Sequence, residues 1–86
     1  MLKSWHESAW DDYLYWQAQD KKTLRKINSL IKGVERNGYA TEGSPEQLTG
    51  DLSGWWSLRI DGTNRLVFAI DGDVLEIYQC RGHYAD

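Results

Sequence analysis

The C-terminal half of this chain carries a small set of side chains with chemistry to offer. From residue 37 to the end, eight acids outnumber three bases, Arg59, Arg65 and Arg81, so each guanidinium stands alone in an acidic stretch. The tail Arg81-Gly82-His83-Tyr84 adds an imidazole and a phenol, and a long loop ahead of the last strands adds a carboxylate. This inventory suits the cleavage of RNA by its own 2′-hydroxyl. That reaction needs a base for the hydroxyl proton, an acid for the leaving 5′-oxygen, and fixed positive charge on the phosphorane-like transition state. Glu and His supply such proton transfers, each worth roughly 10²–10⁴ in rate when positioned. Arginine makes planar, bidentate contact with phosphate oxygens and stays protonated, so it stabilises charge and leaves proton traffic to others. An aromatic such as Tyr84 can stack on an unpaired base, the usual way single-stranded RNA is held.

Other chemistries find little support. No P-loop, dinucleotide fingerprint or HExxH is present. Cys80 and His83 have the spacing of half a zinc site with nothing to complete it, so neither a metal nor a cofactor is expected. The single Cys80 excludes an internal disulfide and reads as a core residue at a strand end. His6 reads as a surface histidine beside the first helix.

The 86 residues, 10 Lys+Arg against 13 Asp+Glu for a net charge of −3, and 41% hydrophobic content describe one small soluble domain over residues 1–86. No apolar run reaches the ~18 residues of a membrane span, and the N-terminus lacks a signal peptide's apolar stretch, so a cytoplasmic protein without a membrane partner is expected. The overall sign argues against non-specific coating of nucleic acid, but the charge is uneven. Residues 1–20 carry four acids and one base, whereas residues 21–36 carry six bases (Lys21, Lys22, Arg25, Lys26, Lys32 and Arg36) and one acid, Glu35.

These side chains must be positioned by few elements. Residues 2–6 read as a weak strand. Glu7 to about Gln19 reads as a helix with Ala9, Trp10, Tyr13, Leu14, Trp16 and Gln17 on one side and Ser8, Asp11, Asp12 and Tyr15 opposite. Asp20 is a good N-cap for a second helix to about Arg36, whose Leu24, Ile27, Leu30, Ile31 and Val34 form an apolar stripe. Its six bases occupy the adjoining arc, either a solvated face or a surface that contacts phosphates. Asn37-Gly38 ends that helix, and a loop of about fifteen residues follows; a structureless segment of that length in a small domain is usually functional. Three strand-like runs close the chain, Trp55–Ile60, Asn64–Ile70 and Val74–Cys80, separated by the hairpin signals Asp61-Gly62 and Asp71-Gly72. The result is an α+β fold, β-α-α-β-β-β, with the helical pair on one face of a small antiparallel sheet. Alternation places Trp56, Leu58, Ile60, Leu66, Phe68 and Ile70 under the helices and Arg59 with Arg65 on the open face. In the last run Leu75 and Ile77 share parity with Arg81, which a bulge or two-sided burial would reconcile.

Several stretches closely resemble the YoeB/Txe toxins of the RelE superfamily: Trp10-Asp11-Asp12-Tyr13-Leu14-Tyr15-Trp16, Pro45-Glu46-x-Leu48, Leu52-Ser53-Gly54-Trp55-Trp56-Ser57-x-Arg59-Ile60, Asn64-Arg65-Leu66-Val67 and Cys80-Arg81-x-His83-Tyr84. The resemblance runs almost end to end. It implies a RelE-like fold and an mRNA endonuclease that acts in the ribosomal A site and inhibits translation. It also implies a YefM-type antitoxin partner and a tendency to form homodimers or toxin–antitoxin hetero-oligomers. By the same resemblance Glu46 matches the general base, His83 the general acid and Arg65 the group that stabilises the transition state. Arg59 matches a supporting phosphate contact and Tyr84 the aromatic that orients the substrate, with Arg81 beside them in the substrate-binding set. The products implied are a 2′,3′-cyclic phosphate and a 5′-hydroxyl. The chain departs from the family pattern at Thr49, where relatives commonly carry a lysine, and at Ala85-Asp86, which extend past the tyrosine.

A competing expectation needs no catalysis. Trp, Tyr and Arg dominate interface hot spots, so an arginine pair on an open sheet could anchor a binding module that occludes a ribosomal or protein site.

Overall fold

A computed structural model describes residues 1–83 of the protein. The chain runs through β1 (Leu2–Trp5), α1 (Glu7–Gln19), α2 (Lys21–Asn37), β2 (Glu46–Gln47), β3 (Trp56–Arg59), β4 (Arg65–Asp71) and β5 (Val74–Gln79), with single 3₁₀ turns at Gly38–Ala40 and Gly50–Leu52. The helical pair covers one face of the sheet, as the sequence predicts. The strand order is β1-β5-β4-β3-β2. Two details go beyond the expected antiparallel meander. Part of the long loop pairs with β3 as the two-residue strand β2, and β1 joins the far edge parallel to β5, which makes the sheet mixed. Parallel pairing needs a long crossover, and everything between the first and last strands supplies it.

The second helix follows its sequence signals. The Asp20 carboxylate accepts hydrogen bonds from the backbone N–H groups of Lys22 (3.1 Å) and Thr23 (3.2 Å), and Thr23 Oγ1 donates to it at 2.8 Å. Ile27, Ile31 and Val34 are buried against Leu58, Leu66, Phe68, Leu75 and Ile77, with Leu24 and Leu30 packed at the margin. Gly33 marks a close approach: a Cβ there would lie 2.6 Å from Oγ1 of the buried Thr41. Glu35, the one acid among six bases, is paired with Lys3 Nζ at 3.1 Å, which ties β1 to α2.

The first helix departs from its predicted face. Only Ala9 and Trp16 are buried, Asp12 and Tyr13 are half-buried, and Trp10 and Leu14 remain 45% and 42% exposed. The packed stripe is therefore 9-12-13-16, because the C-terminal strand end docks there and Asp12 receives its backbone. Trp10 instead stacks on Tyr13 (centroids 5.7 Å apart) and meets the edge of Trp5 (5.6 Å).

The parity conflict in the last strand resolves as a bulge. Phe68 pairs with Ile77 and Val67 with Gln79, so Tyr78 is the extra residue. Leu75, Ile77 and Cys80 thereby all reach the core, where each is at most 1% exposed. Of the two Asp-Gly signals, the second forms a tight hairpin: Asp71 pairs with Val74 around Gly72-Asp73, with Gly72 at φ 59°. The first opens into a longer loop in which Ile60 N–H donates to the Asn64 carbonyl, because the Asp61 carboxylate collects the Thr63 and Asn64 N–H groups, each at 2.8 Å. Among the described residues no helix is long and apolar enough to cross a membrane.

Candidate active site

Strand pairing carries three of the candidate residues to the sheet face away from the helices. Arg59 on β3 stands directly opposite Arg65 on β4, and Glu46 on β2 stands opposite Ser57 on β3. Ser57 is two residues from Arg59, so Glu46 and Arg59 are diagonal neighbours on one face, roughly 7–8 Å apart at the backbone. Glu46 and Arg59 are exposed and Arg65 is half-buried. This face is not bare. Ser57 and Val67 on it are buried, and His6, following β1, meets Trp55 (5.4 Å) and Tyr78 (5.1 Å) edge-on. These contacts absorb part of the chain's surplus of aromatic residues.

The C-terminal tail is held beside the start of β4 through two sets of hydrogen bonds. From the helix side, Asp12 Oδ2 accepts the Cys80 N–H at 3.1 Å and Trp16 Nε1 donates to the Cys80 carbonyl at 2.8 Å. Beyond Cys80 the chain crosses to the β3–β4 loop. There Arg65 N–H donates to the Gly82 carbonyl (3.0 Å), Gln79 Nε2 donates to the same oxygen (3.1 Å), and Asn64 Oδ1 accepts the Gly82 N–H (2.7 Å). His83, exposed, follows immediately and so sits at the start of β4 beside Arg65. Gly82 holds φ 78°, a left-handed conformation that suits glycine.

The guanidinium of Arg65 is engaged within its own loop, where Nη1 donates to the Asp61 carbonyl at 2.6 Å and the Asn64 carbonyl at 3.0 Å. Arg81 lies elsewhere: its guanidinium sits 3.5 Å over the ring of Tyr15 on α1. Tyr84, the expected substrate-orienting aromatic, and the Ala85-Asp86 extension lie outside the described residues.

The charged surroundings follow from the same packing. Burial pushes the Asp12 carboxyl up from its ordinary value, opposed by the Cys80 N–H and the Arg81 charge. Hydrogen bonds from Asn64 and Thr63 hold the Asp61 carboxyl below its ordinary value. Burial pushes the Cys80 thiol up to about 12, so it is a core residue and no nucleophile. Among the described residues no three His, Cys, Asp or Glu side chains gather where they could hold a metal ion.

The six α2 bases are all exposed. Arg25, Lys26, Lys32 and Arg36 border an open groove of about 970 Å³ whose opposite wall includes Arg59 and Asp61. Arg59 therefore joins the basic helix to the sheet face. Sequence reasoning missed the residues that hold the tail: Asn64, Gln79, Asp12 and Trp16. The cluster Asp61-Gly62-Thr63-Asn64, rich in side chains that bond their own backbone, was the available signal for the first of these.

Comparison with known proteins finds relatives over nearly the whole chain. A family model described as the YoeB-like toxin of bacterial type II toxin-antitoxin systems matches residues 5–84. Toxin YoeB of Escherichia coli strain K12 is 51% identical over 80 residues, 93% of this chain and 95% of that protein. Among solved structures, a YoeB/ParE toxin from Agrobacterium tumefaciens superposes with a TM-score of 0.93 at 44% identity, over 98% of this chain and 100% of that one. The Staphylococcus aureus YoeB in a heterotetrameric YoeB–YefM complex superposes at 0.89 and 40% identity, covering 98% of this chain and 99% of that one. A YoeB dimer from S. aureus superposes equally well, at 0.89 and 39% identity, over 98% of each chain.

Proposed function

The chain belongs to the YoeB-like toxins of bacterial type II toxin–antitoxin systems, and from that footing we propose that it is an endoribonuclease that cuts message in the ribosomal A site and so stops translation in the cytoplasm. The observation that carries this reading is the meeting, on one sheet face, of Glu46 and the opposed pair Arg59 and Arg65, with the tail bringing His83 to the start of β4 next to Arg65. Glu46 takes the proton from the 2′-hydroxyl. The oxygen attacks the adjacent phosphorus, Arg65 swings from its loop carbonyls to the equatorial phosphate oxygens, and Arg59 holds the neighbouring phosphate. His83 returns a proton to the 5′-oxygen as its bond to phosphorus breaks, leaving a 2′,3′-cyclic phosphate and a 5′-hydroxyl. Tyr84 stacks on a base, and Arg81 leaves Tyr15 to join the substrate contacts. No cofactor is required. Lys21, Lys22, Arg25, Lys26, Lys32 and Arg36 meet ribosomal RNA phosphates.

Glu46 stands exposed on a two-residue edge strand, and Arg65 turns its Nη1 to carbonyls of the preceding loop. The isolated protein is thus weakly organised for chemistry, and the ribosome supplies the remaining order. A YefM-type antitoxin is the regulatory partner, and homodimers or hetero-oligomers are the assemblies in which the toxin is held. The test is a translation reaction with a defined message, run with and without ribosomes, on wild-type protein and the Glu46→Ala and His83→Ala variants. The expected result is cutting on ribosomes only, abolished in both variants while ribosome binding persists. Equal rates on naked RNA would remove the ribosome from the proposal. Full growth arrest by both variants would favour occlusion without cutting.

A further inference from the structure

We infer that Asn64 is a positioning residue which, with its amide oriented by Asp61, clamps Gly82 and so sets the His83 imidazole beside Arg65. This deepens the endoribonuclease reading and rests on it. The side chain of Asn64 spans two partners. Its Nδ2 donates to both oxygens of Asp61, at 3.1 and 3.0 Å, which leaves Oδ1 facing the other way to accept the Gly82 N–H at 2.7 Å. Asn64 and Gly82 are both half-buried, so the bond between them is not one that water replaces at no cost.

Position in the chain makes this clamp matter. The tail is covalently tied to the sheet only through β5, and past Cys80 it has left the core. Gly82 directly precedes His83, and three partners converge on its backbone N–H and C=O: Asn64 Oδ1, Arg65 N–H and Gln79 Nε2. Two of the three come from consecutive residues where the β3–β4 loop enters β4, and the second of these is the arginine of the site. The clamp therefore fixes the acid and the transition-state cation relative to each other. Proton transfer to a leaving oxygen depends steeply on such geometry; a displacement of about 1 Å can cost on the order of 10²-fold in rate. The hydrogen-bonded carboxylate of Asp61 completes the relay. It fixes the Asn64 amide with oxygen toward Gly82, and it anchors the loop by accepting the Thr63 and Asn64 N–H groups.

Single-turnover cleavage of a defined message on ribosomes, at saturating and subsaturating toxin, tests the assignment in four proteins: wild type, His83→Ala, Asn64→Ala, and the charge-conserving exchange Asp61→Asn with Asn64→Asp. In the exchange the two bonds that link the loop to the tail can be remade, since the new amide donates to the new carboxylate and that carboxylate accepts the Gly82 N–H. Asn64→Ala is expected to lower the maximal rate by about 10- to 100-fold with half-saturation unchanged, and the exchange is expected to restore at least half of the loss on a logarithmic scale. An independent readout is the exchange of the Gly82 amide proton with solvent, expected to be slow in wild type and the exchange variant and fast in Asn64→Ala. If wild type cleaves and His83→Ala does not, while Asn64→Ala keeps the wild-type rate, the clamp is overturned and the catalytic reading stands. If Asn64→Ala changes half-saturation alone, or loses activity together with its thermal unfolding transition while the exchange variant is no better, the positioning role is likewise overturned. If wild type itself cuts no message, the endoribonuclease reading fails first; a Gly82 amide equally protected in Asn64→Ala would then overturn the clamp as well.

Discussion

Glu46 and His83 reach the site by opposite means, one at the edge of a sheet and the other on a tethered tail. Removing either of the proposed proton carriers should leave binding intact and cost chemistry: Glu46→Gln is expected to lower single-turnover cleavage by roughly 10²–10⁴-fold, with ribosome affinity measured by co-sedimentation held within a few-fold. Arg65→Lys keeps the charge and loses the planar fork, so it should also fall well below wild type; a lysine variant at full rate would show that charge alone suffices. Cys80 gives a negative control. Its thiol, buried and pushed up to about 12, is expected to resist iodoacetamide at neutral pH until denaturant is added, and labelling of the native protein at the rate of a free thiol would contradict its place in the core. At this scale the sequence was informative where alternation sufficed, as with Arg59 facing Arg65. It was silent on Asp12 and Trp16 as tail anchors, because their bonds to Cys80 span 68 and 64 positions of chain and no local pattern encodes them.

The elements hold the site through contacts that are tighter than their sequence signals suggest. Gly33 sits mid-helix, where alanine would ordinarily stabilise by about 1 kcal/mol. The 2.6 Å approach of Thr41 Oγ1 to the position of a new Cβ reverses that expectation. Gly33→Ala is expected to lower the melting temperature, and Thr41→Ala in the same protein to remove the penalty; a higher melting temperature for the single variant would contradict the close approach. The β3–β4 loop carries a pH signature. Hydrogen bonds from Asn64 and Thr63 lower the Asp61 pKa in the folded state, so their stabilisation is complete above the ordinary Asp value of about 3.9 and is lost as pH falls through the lowered one. The Thr63 and Asn64 amide NMR shifts should titrate with a midpoint below about 3.9; a midpoint above it would contradict the hydrogen-bonded loop. Helix α2 and the Asp71-Gly72 hairpin were legible because capping, periodicity and turn chemistry are local. The face of α1 was not, since what packs against it is the far end of the chain. Nor were β2 and the parallel β1, whose partners lie in distant strands. The bulge at Tyr78 stood among the options as an unresolved parity, and only the β4 register decides it.

For the molecule as a whole, charge is laid out as a band. The acidic N-terminal stretch and acidic C-terminal half flank the six α2 bases, and the groove beside them ends at Arg59. Contact with RNA phosphates releases counterions, so affinity for the ribosome should fall steeply with salt. Replacing Arg25, Lys26, Lys32 and Arg36 with Gln is expected to weaken ribosome binding, to flatten its salt dependence, and to leave the maximal cleavage rate near wild type; an unchanged salt slope would make this a solvated face. The central claim is that a carboxylate, a guanidinium and an imidazole act on one phosphodiester through its own 2′-hydroxyl. It is tested most directly by programming ribosomes with two messages that differ by a single 2′-deoxy substitution at the scissile nucleotide, then mapping the cut and its end groups. The all-ribose message should be cut to a 2′,3′-cyclic phosphate and a 5′-hydroxyl, and the substituted one should survive at that position. Equal cutting of both, or 5′-phosphate ends, would contradict the mechanism.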